Sequence, residues 1–345
     1  MTEDILEPDL PIIDPHHHLW DRRPVLTPPA EGEHPFTTVI RKRPVYLLDE
    51  LLADTGSGHN IVATVFIECR SMWRADGPDA LKPIGETEFV NGVAAMSASG
   101  IYGPMRACAG IVGHADCTLG EAVDETLEAH LKVTDRFKGI RHSCSYDADS
   151  GVLGPLARQT PGLYGSDQFR TGYARLARYG LSFDAWFLEP QLPEVYDLVK
   201  GHPDIPVVID HVGTPLGIAS YAGRREERFP TWRENMGKLA QLPHVNVKLG
   251  GLAMAFCNFP SFLADPPAPS TQLAAEWKPY LETCIELFGP GRCMFESNFP
   301  VDLGSCDYPT LWNAFKVFAK DYSASEKADL FAGTAKRVYR LDLPN

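Results

Sequence analysis

Three consecutive histidines close a short apolar run near the N-terminus, in Asp14-Pro15-His16-His17-His18-Leu19-Trp20. Side chains alternate faces along a strand, so His16 and His18 project together and His17 points the other way. Two imidazoles converging at a strand's C-terminal end make half of a metal site or of a proton-transfer site. A His-rich turn or a tag remnant is the ordinary alternative. The apolar stretch before the histidines argues against it, because residues 10–13 read as a buried strand.

Other polar residues end other apolar runs. His211 closes Val207-Val208-Ile209-Asp210-His211 and reads as a third imidazole of the site, with a backbone-bonded core histidine as the alternative. Asp210 has the opposite parity and reads as an anchoring carboxylate. Arg141 and His142 end Phe137-Lys138-Gly139-Ile140-Arg141-His142, where an arginine can orient a substrate carboxylate by paired hydrogen bonds; a surface arginine is the alternative. Glu68 ends Ala63-Thr64-Val65-Phe66-Ile67-Glu68, a place where a carboxylate is costly unless paired, hydrated or bound to a metal. It is therefore a candidate ligand or base, or else an ion-pair partner of Arg70 or another cation at the barrel mouth. In Met294-Phe295-Glu296-Ser297-Asn298-Phe299-Pro300, Glu296 and Asn298 share parity, so one of them faces the site, while Asp302 lies beyond and reads as a turn cap. Trp20, Glu86, Asp184, Trp186 and Lys248 are weaker candidates. A Gly-x-Ser-x-Gly elbow is lacking, which leaves serine-hydrolase chemistry unsupported.

The elements that must position these residues recur eight times. Apolar or β-branched runs lie at residues 10–14, 61–68, 106–113, 137–142, 181–187, 206–211, 245–249 and 293–298, with helix-length amphipathic stretches between them. Alternating βα units make a parallel sheet, and eight of them predict a closed (β/α)8 TIM barrel, distorted and with long loops at its C-terminal face. A doubly wound sheet is the alternative, but no Gly-x-Gly-x-x-Gly follows a strand. Each candidate residue sits at or just after a strand's C-terminal end, where such barrels place their active sites. Long segments at 22–44, 144–165, 213–230 and 250–269 read as lids or binding loops, and a C-terminal helix is expected over 325–339. No linker divides the chain, so residues 1–345 are read as one barrel domain.

A formal net charge of -13 opposes binding to nucleic acid or anionic lipid, although a local basic patch could still hold a small anion. The eight cysteines are scattered without a C-x-x-C pair, which fits reduced thiols in a cytoplasmic protein. No signal-like N-terminus or membrane-length apolar run is present. The expected partner is a small-molecule substrate; association into a homo-oligomer is left open.

Taken in order, Ile13-Asp14-Pro15-His16-His17-His18-Leu19-Trp20, Phe137-Lys138-Gly139-Ile140-Arg141-His142, Ile209-Asp210-His211-Val212-Gly213 and Glu296-Ser297-Asn298-Phe299-Pro300 resemble the amidohydrolase superfamily. The likeness is to its amidohydrolase-related branch of pyrone-dicarboxylate lactonases and fuconolactonases, and it spans essentially the whole chain. The resemblance implies a distorted barrel that hydrolyses an ester-like bond, commonly a lactone, with a histidine cluster, with or without a divalent metal, polarising the carbonyl and a last-strand carboxylate activating water. It casts His16, His18, His211 and Glu68 as candidate metal ligands, Glu296, Asn298, His142 and Arg141 as catalytic candidates, and Arg141, His142 and Trp20 as substrate contacts. The family's last-strand Gly-Ser-Asp-Trp-Pro is here Glu-Ser-Asn-Phe-Pro. Asn298 thus stands at the aspartate position, and an amide is no useful base. The proton-transfer role then passes to a carboxylate, Glu296 before Glu68. No histidine ends the fifth run and no bridging lysine ends the fourth, so one divalent cation at most, zinc or manganese, or none at all, is expected. A non-oxidative decarboxylase or hydratase acting on an aromatic-derived acid, and a barrel that only binds a small molecule, are the alternatives.

Overall fold

A computed structural model describes residues 3–343. Eight parallel strands, β1 (Ile12–His17), β2 (Ile61–Ile67), β3 (Arg106–Gly113), β4 (Phe137–Arg141), β5 (Ser182–Ala185), β6 (Val207–Ile209), β7 (Val245–Leu249) and β8 (Cys293–Phe295), pair in sequence order in one sheet. A parallel bridge between His17 and Phe299 brings the last strand's continuation back to the first, so the sheet is a nearly closed barrel with helices between its strands. Strand alternation divides the apolar residues. Ala63, Val65, Ile67, Val112, Val208 and Met294 pack together with Tyr339 and Leu341 of the C-terminal segment, while Phe66, Ile111, Ile140, Val207, Val247 and Phe295 belong to the larger core under the helices.

Three strand ends differ from the sequence reading. β1 continues through His17 because a register shift between Asp14 and His17 sets three residue steps against two of β2, from Thr64 to Phe66. Such a bulge, here at a proline that has no N–H for the ladder, re-aims the side chains that follow it. β6 stops at Ile209 because His211, Val212 and Thr214 adopt φ of 55, 46 and 48°, and β8 stops at Phe295, ahead of Asn298 at φ 53°. Left-handed backbone at non-glycine residues is strained and gathers at functional sites.

The segment at 22–44 is not all loop. It carries a helix, Pro35–Lys42, begun by a proline in its first turn and by His34, whose side chain accepts from the N–H of Phe36. A two-stranded ribbon, Trp20–Asp21 with Val45–Tyr46, ties it to β1. The C-terminal helical stretch starts at Ala324 behind a Ser323/Glu326 capping box and passes through a π turn, Asp329–Gly333, to Val338. All eight cysteines are unpaired, and among the described residues no helix is long and apolar enough to cross a membrane.

Candidate active site

The bulge in β1 gives the three histidines different surroundings. His17 lies on the outer side, where Nε2 meets Thr64 Oγ1 at 2.8 Å and the ring packs edge-on to Phe66. His16 and His18 are turned inward with ring centroids 5.0 Å apart. His18 Nδ1 lies 2.8 Å from the carbonyl oxygen of Ile67, which can only accept, so Nδ1 carries the proton and Nε2 is left as an acceptor. Burial lowers the pKa of both His16 and His18 well below the ordinary imidazole value. Replacing His17 by Ala is expected to lower thermal stability and leave turnover within a few-fold, whereas His16→Ala and His18→Ala abolish turnover in a folded protein. A His17→Ala loss of activity as deep as the other two would contradict this inside–outside division.

His211 reaches the interior because the chain turns left-handed just after β6. Its Nδ1 lies 2.7 Å from Glu296 Oε1, and its backbone N–H donates to the same oxygen at 3.2 Å. Glu296 is fully buried, and its other oxygen, Oε2, approaches His16 Nδ1 to 2.8 Å but has no hydrogen-bond donor. The pair Gly250-Gly251 after β7 makes the space. A Cβ at Gly250 would stand 2.4 Å from Glu296 Cγ, and one at Gly251, itself at φ 65°, 2.4 Å from the His211 ring. Both glycines follow a strand in the sequence, the one signal there that bulky side chains crowd this point.

A chain of ion pairs runs beneath. Lys248 Nζ contacts Asp184 Oδ2 at 2.6 Å, Asp210 Oδ1 at 3.0 Å and His16 Nδ1 at 3.2 Å, all fully buried. Tyr339 donates to Asp184 from the C-terminal segment at 2.6 Å. Arg141 joins Asp210 Oδ2 at 3.3 Å and Glu68 Oε1 at 2.9 Å, and it also donates to the Glu68 carbonyl. Burial works against both the Lys248 ammonium and the Arg141 guanidinium, but the facing carboxylates outweigh it and raise both pKa values. Burial is also the main cause pushing Asp184 up to about 6. Asp210, read as an anchoring carboxylate, holds Lys248 and Arg141 in the layer beneath the cavity, 3.7 Å from His16 Nδ1, and it turns inward beside His211 because strict alternation ends with β6 at Ile209.

A cavity of about 710 Å³ opens over this floor. His18, His211, Glu68, Arg141 and Asn298 line its depth, and Trp20, Phe36, Trp186 and Phe256 give it apolar walls. Trp20 is fixed by its Nε1–H donating to the Arg43 carbonyl at 3.0 Å. Asn298 donates from Nδ2 to Asp302 Oδ1 at 2.7 Å. Asp302 is fully buried, and burial holds its pKa well above the carboxylate range. His142, expected beside Arg141 at the substrate, is not among the residues lining the cavity. It packs against His114 and Phe169, with Nδ1 accepting from the Cys117 N–H at 3.2 Å, and burial lowers its pKa to about 3. Glu86 ties down the loop after β2, accepting from the N–H groups of Cys69 and Ser71 and from Trp73 Nε1.

The four expected ligands are not one cluster. His16, His211 and Glu296 each bring a ligand atom within 4.8 Å of the others, whereas Glu68 is engaged by Arg141 and His18 stands beside the group. Two observations test whether a divalent cation fits. Glu296 Oε2 is a buried carboxylate atom lacking a donor, and among the described residues only two fixed cations, Lys248 and Arg141, form ion pairs within the group of buried carboxylates Glu68, Asp184, Asp210 and Glu296. Both fit one such ion.

Comparison with known proteins agrees with this architecture. The family model described as Amidohydrolase matches residues 13–341. An uncharacterized protein, y4mH, of Sinorhizobium fredii is 33% identical over 344 residues, covering 96% of this chain and 99% of its own length. The L-fucono-1,5-lactonase of Burkholderia multivorans is 27% identical over 290 residues, covering 77% of this chain and 86% of its own. Among solved structures, an amidohydrolase from Burkholderia multivorans with bound zinc shares the fold at a TM-score of 0.72 and 24% identity, over 96% of this chain and 99% of that one.

Proposed function

The chain belongs to the amidohydrolase family, and from that membership and the floor of its cavity we propose that this enzyme opens a lactone or related small cyclic ester by hydrolysis. The observation that carries the reading is the contact between His211 Nδ1 and Glu296 Oε1 at 2.7 Å, with His211 on the cavity wall and Glu296 behind it. A carboxylate on Nδ1 fixes that nitrogen as the donor, leaves Nε2 as the acceptor and stabilises the imidazolium formed when Nε2 takes a proton. The likeness to a lactonase supports the same bond type.

In the proposed reaction a water at the cavity floor, held by the acceptor Nε2 of His18, attacks the ester carbonyl. Its proton passes to the His211–Glu296 pair, which returns a proton to the ring oxygen as the C–O bond breaks, giving a carboxylic acid and an alcohol on one molecule. Glu296 fills the carboxylate role that Asn298 cannot, and Asn298, held by Asp302, positions water or substrate. Arg141 and Glu68, locked to each other, add a paired charge to the lining of the same cavity. A divalent cation, zinc or manganese, held by His16, His211 and Glu296 would take the place of the His211 proton acceptor, polarising the carbonyl and lowering the pKa of the attacking water.

Turnover of a panel of five- and six-membered lactones, followed by the one proton each opening releases, tests the assignment. Ring opening supports it; release of carbon dioxide from aromatic acids with no lactone turned over would replace it with decarboxylation. The cation count is limited by Lys248, whose ammonium occupies the space between Asp184, Asp210 and His16. Elemental analysis of protein purified without added metal is expected to give no more than one zinc or manganese per chain, and two at full occupancy would contradict the site as drawn.

A further inference from the structure

Four arginines line the cavity, Arg22, Arg70, Arg141 and Arg158, against two glutamates. Both glutamates already hold an arginine: Glu68 is paired with Arg141, and Glu33 with Arg41 through both its oxygens, at 2.5 and 2.8 Å. Among the described residues, Arg22, Arg70 and Arg158 have no carboxylate within ion-pair distance. They come from three separate segments, after the ribbon strand at Trp20–Asp21, after β2 and in the long loop after β4. Two of them are positioned by contacts that leave the charge uncompensated. Arg22 lies 5.4 Å over the Trp20 ring and donates to the Cys69 carbonyl at 2.5 Å, and Arg70, held at φ 58°, lies 5.2 Å over Trp73. Partial burial, and then the facing charges of Arg70 and Arg22, lower the pKa of Arg158. A chain of net charge -13 thus gathers unpaired positive charge around its one described catalytic cavity, a local field that favours an anion there.

We propose that Arg22, Arg70 and Arg158 bind an oxyanionic substituent of the substrate, a carboxylate or a phosphate, so that the enzyme's substrates are acidic lactones rather than neutral ones. Guanidinium groups suit this role, since each presents paired donors to two oxygens of such a group. The site also distinguishes product from substrate by charge, because ring opening adds a second carboxylate. The inference takes its ester from the lactone reading, but the anion site itself is tested by binding.

The binding arm uses calorimetry with 2-hydroxyglutarate, 4-hydroxybutyrate and glycerol 3-phosphate, on the full chain and on an Arg70→Gln/Arg158→Gln double variant. We expect 2-hydroxyglutarate to bind about tenfold or more tighter than 4-hydroxybutyrate, and the double variant to erase most of that preference. Tighter binding of glycerol 3-phosphate than of 2-hydroxyglutarate assigns the oxyanion to phosphate, and the reverse order to carboxylate. Equal binding of the two hydroxy acids, or a preference that survives in the double variant, overturns the proposal. The kinetic arm compares kcat/KM for 5-oxotetrahydrofuran-2-carboxylate and its carboxamide, with the acid expected to be favoured about tenfold or more. Lactones turned over without preference overturn the anion site and leave the hydrolase reading standing. Neither lactone turned over, with 2-hydroxyglutarate still bound through the arginines, overturns the hydrolase reading and leaves the anion site standing.

Discussion

Glu296→Gln is expected to lower kcat for lactone opening by about 10²–10⁴ while the protein stays folded, the usual loss when a general acid–base group is removed. The amide keeps the volume and one hydrogen bond to His211 Nδ1, now 2.7 Å from a carboxylate oxygen, but it cannot stabilise an imidazolium or hold a proton. His211→Ala is expected to cost a similar factor. Because the two act as one unit, the double variant should be no slower than the slower single variant. Glu68→Gln provides the contrast, since Glu68 is neutralised by Arg141 and belongs to neither the His211–Glu296 contact nor the His16–His211–Glu296 group. A Glu296→Gln enzyme with the parent's rate and pH profile would show that the proton goes elsewhere. Multiplicative losses in the double variant would show that His211 and Glu296 work independently.

Lys248→Met should cost the largest amount of stability, about 3–5 kcal/mol, as expected for breaking a buried ion pair from one side. The methionine fills the lysine's volume but leaves Asp184 and Asp210 facing each other with Arg141 as the only remaining cation, and Arg141 touches only Asp210. Adding Asp184→Asn to Lys248→Met should recover part of the loss, because it removes the carboxylate left with the Tyr339 hydroxyl but no cation. Denaturant or thermal midpoints read this directly. A Lys248→Met protein within about 1 kcal/mol of the parent would mean that the network is not carrying buried charge.

The barrel is legible in the sequence because its strands are short apolar or β-branched runs, several of them followed by a polar residue, and such runs are set locally. His16, His18, His211 and Glu296 could be found the same way. What joins them could not. Lys248 sits in Val245-Asn246-Val247-Lys248-Leu249 as one polar residue among apolar ones, and its partners Asp184 and Asp210 are 64 and 38 residues away. Only closure of the sheet in order brings these strands' inner faces together, so the network was out of reach of a local reading. Parity reasoning fails where strands end: Asp210 and His211 both face the barrel interior because β6 has already given way to left-handed backbone. The sequence order puts His142 beside Arg141 at the substrate, yet one residue beyond the strand its ring turns to the Cys117 loop. The arginines of the cavity mouth come from loops whose positions no periodicity encodes, and in the sequence they are indistinguishable from solvated surface charges.

Hydrolysis at the ester carbonyl is tested most directly by running a lactone turned over by the enzyme in ¹⁸O-enriched water and analysing the product by mass spectrometry. The account predicts one solvent oxygen in the new carboxylate, none in the new hydroxyl and no carbon dioxide. Label in the hydroxyl, or a product short of one carboxyl group, would contradict it.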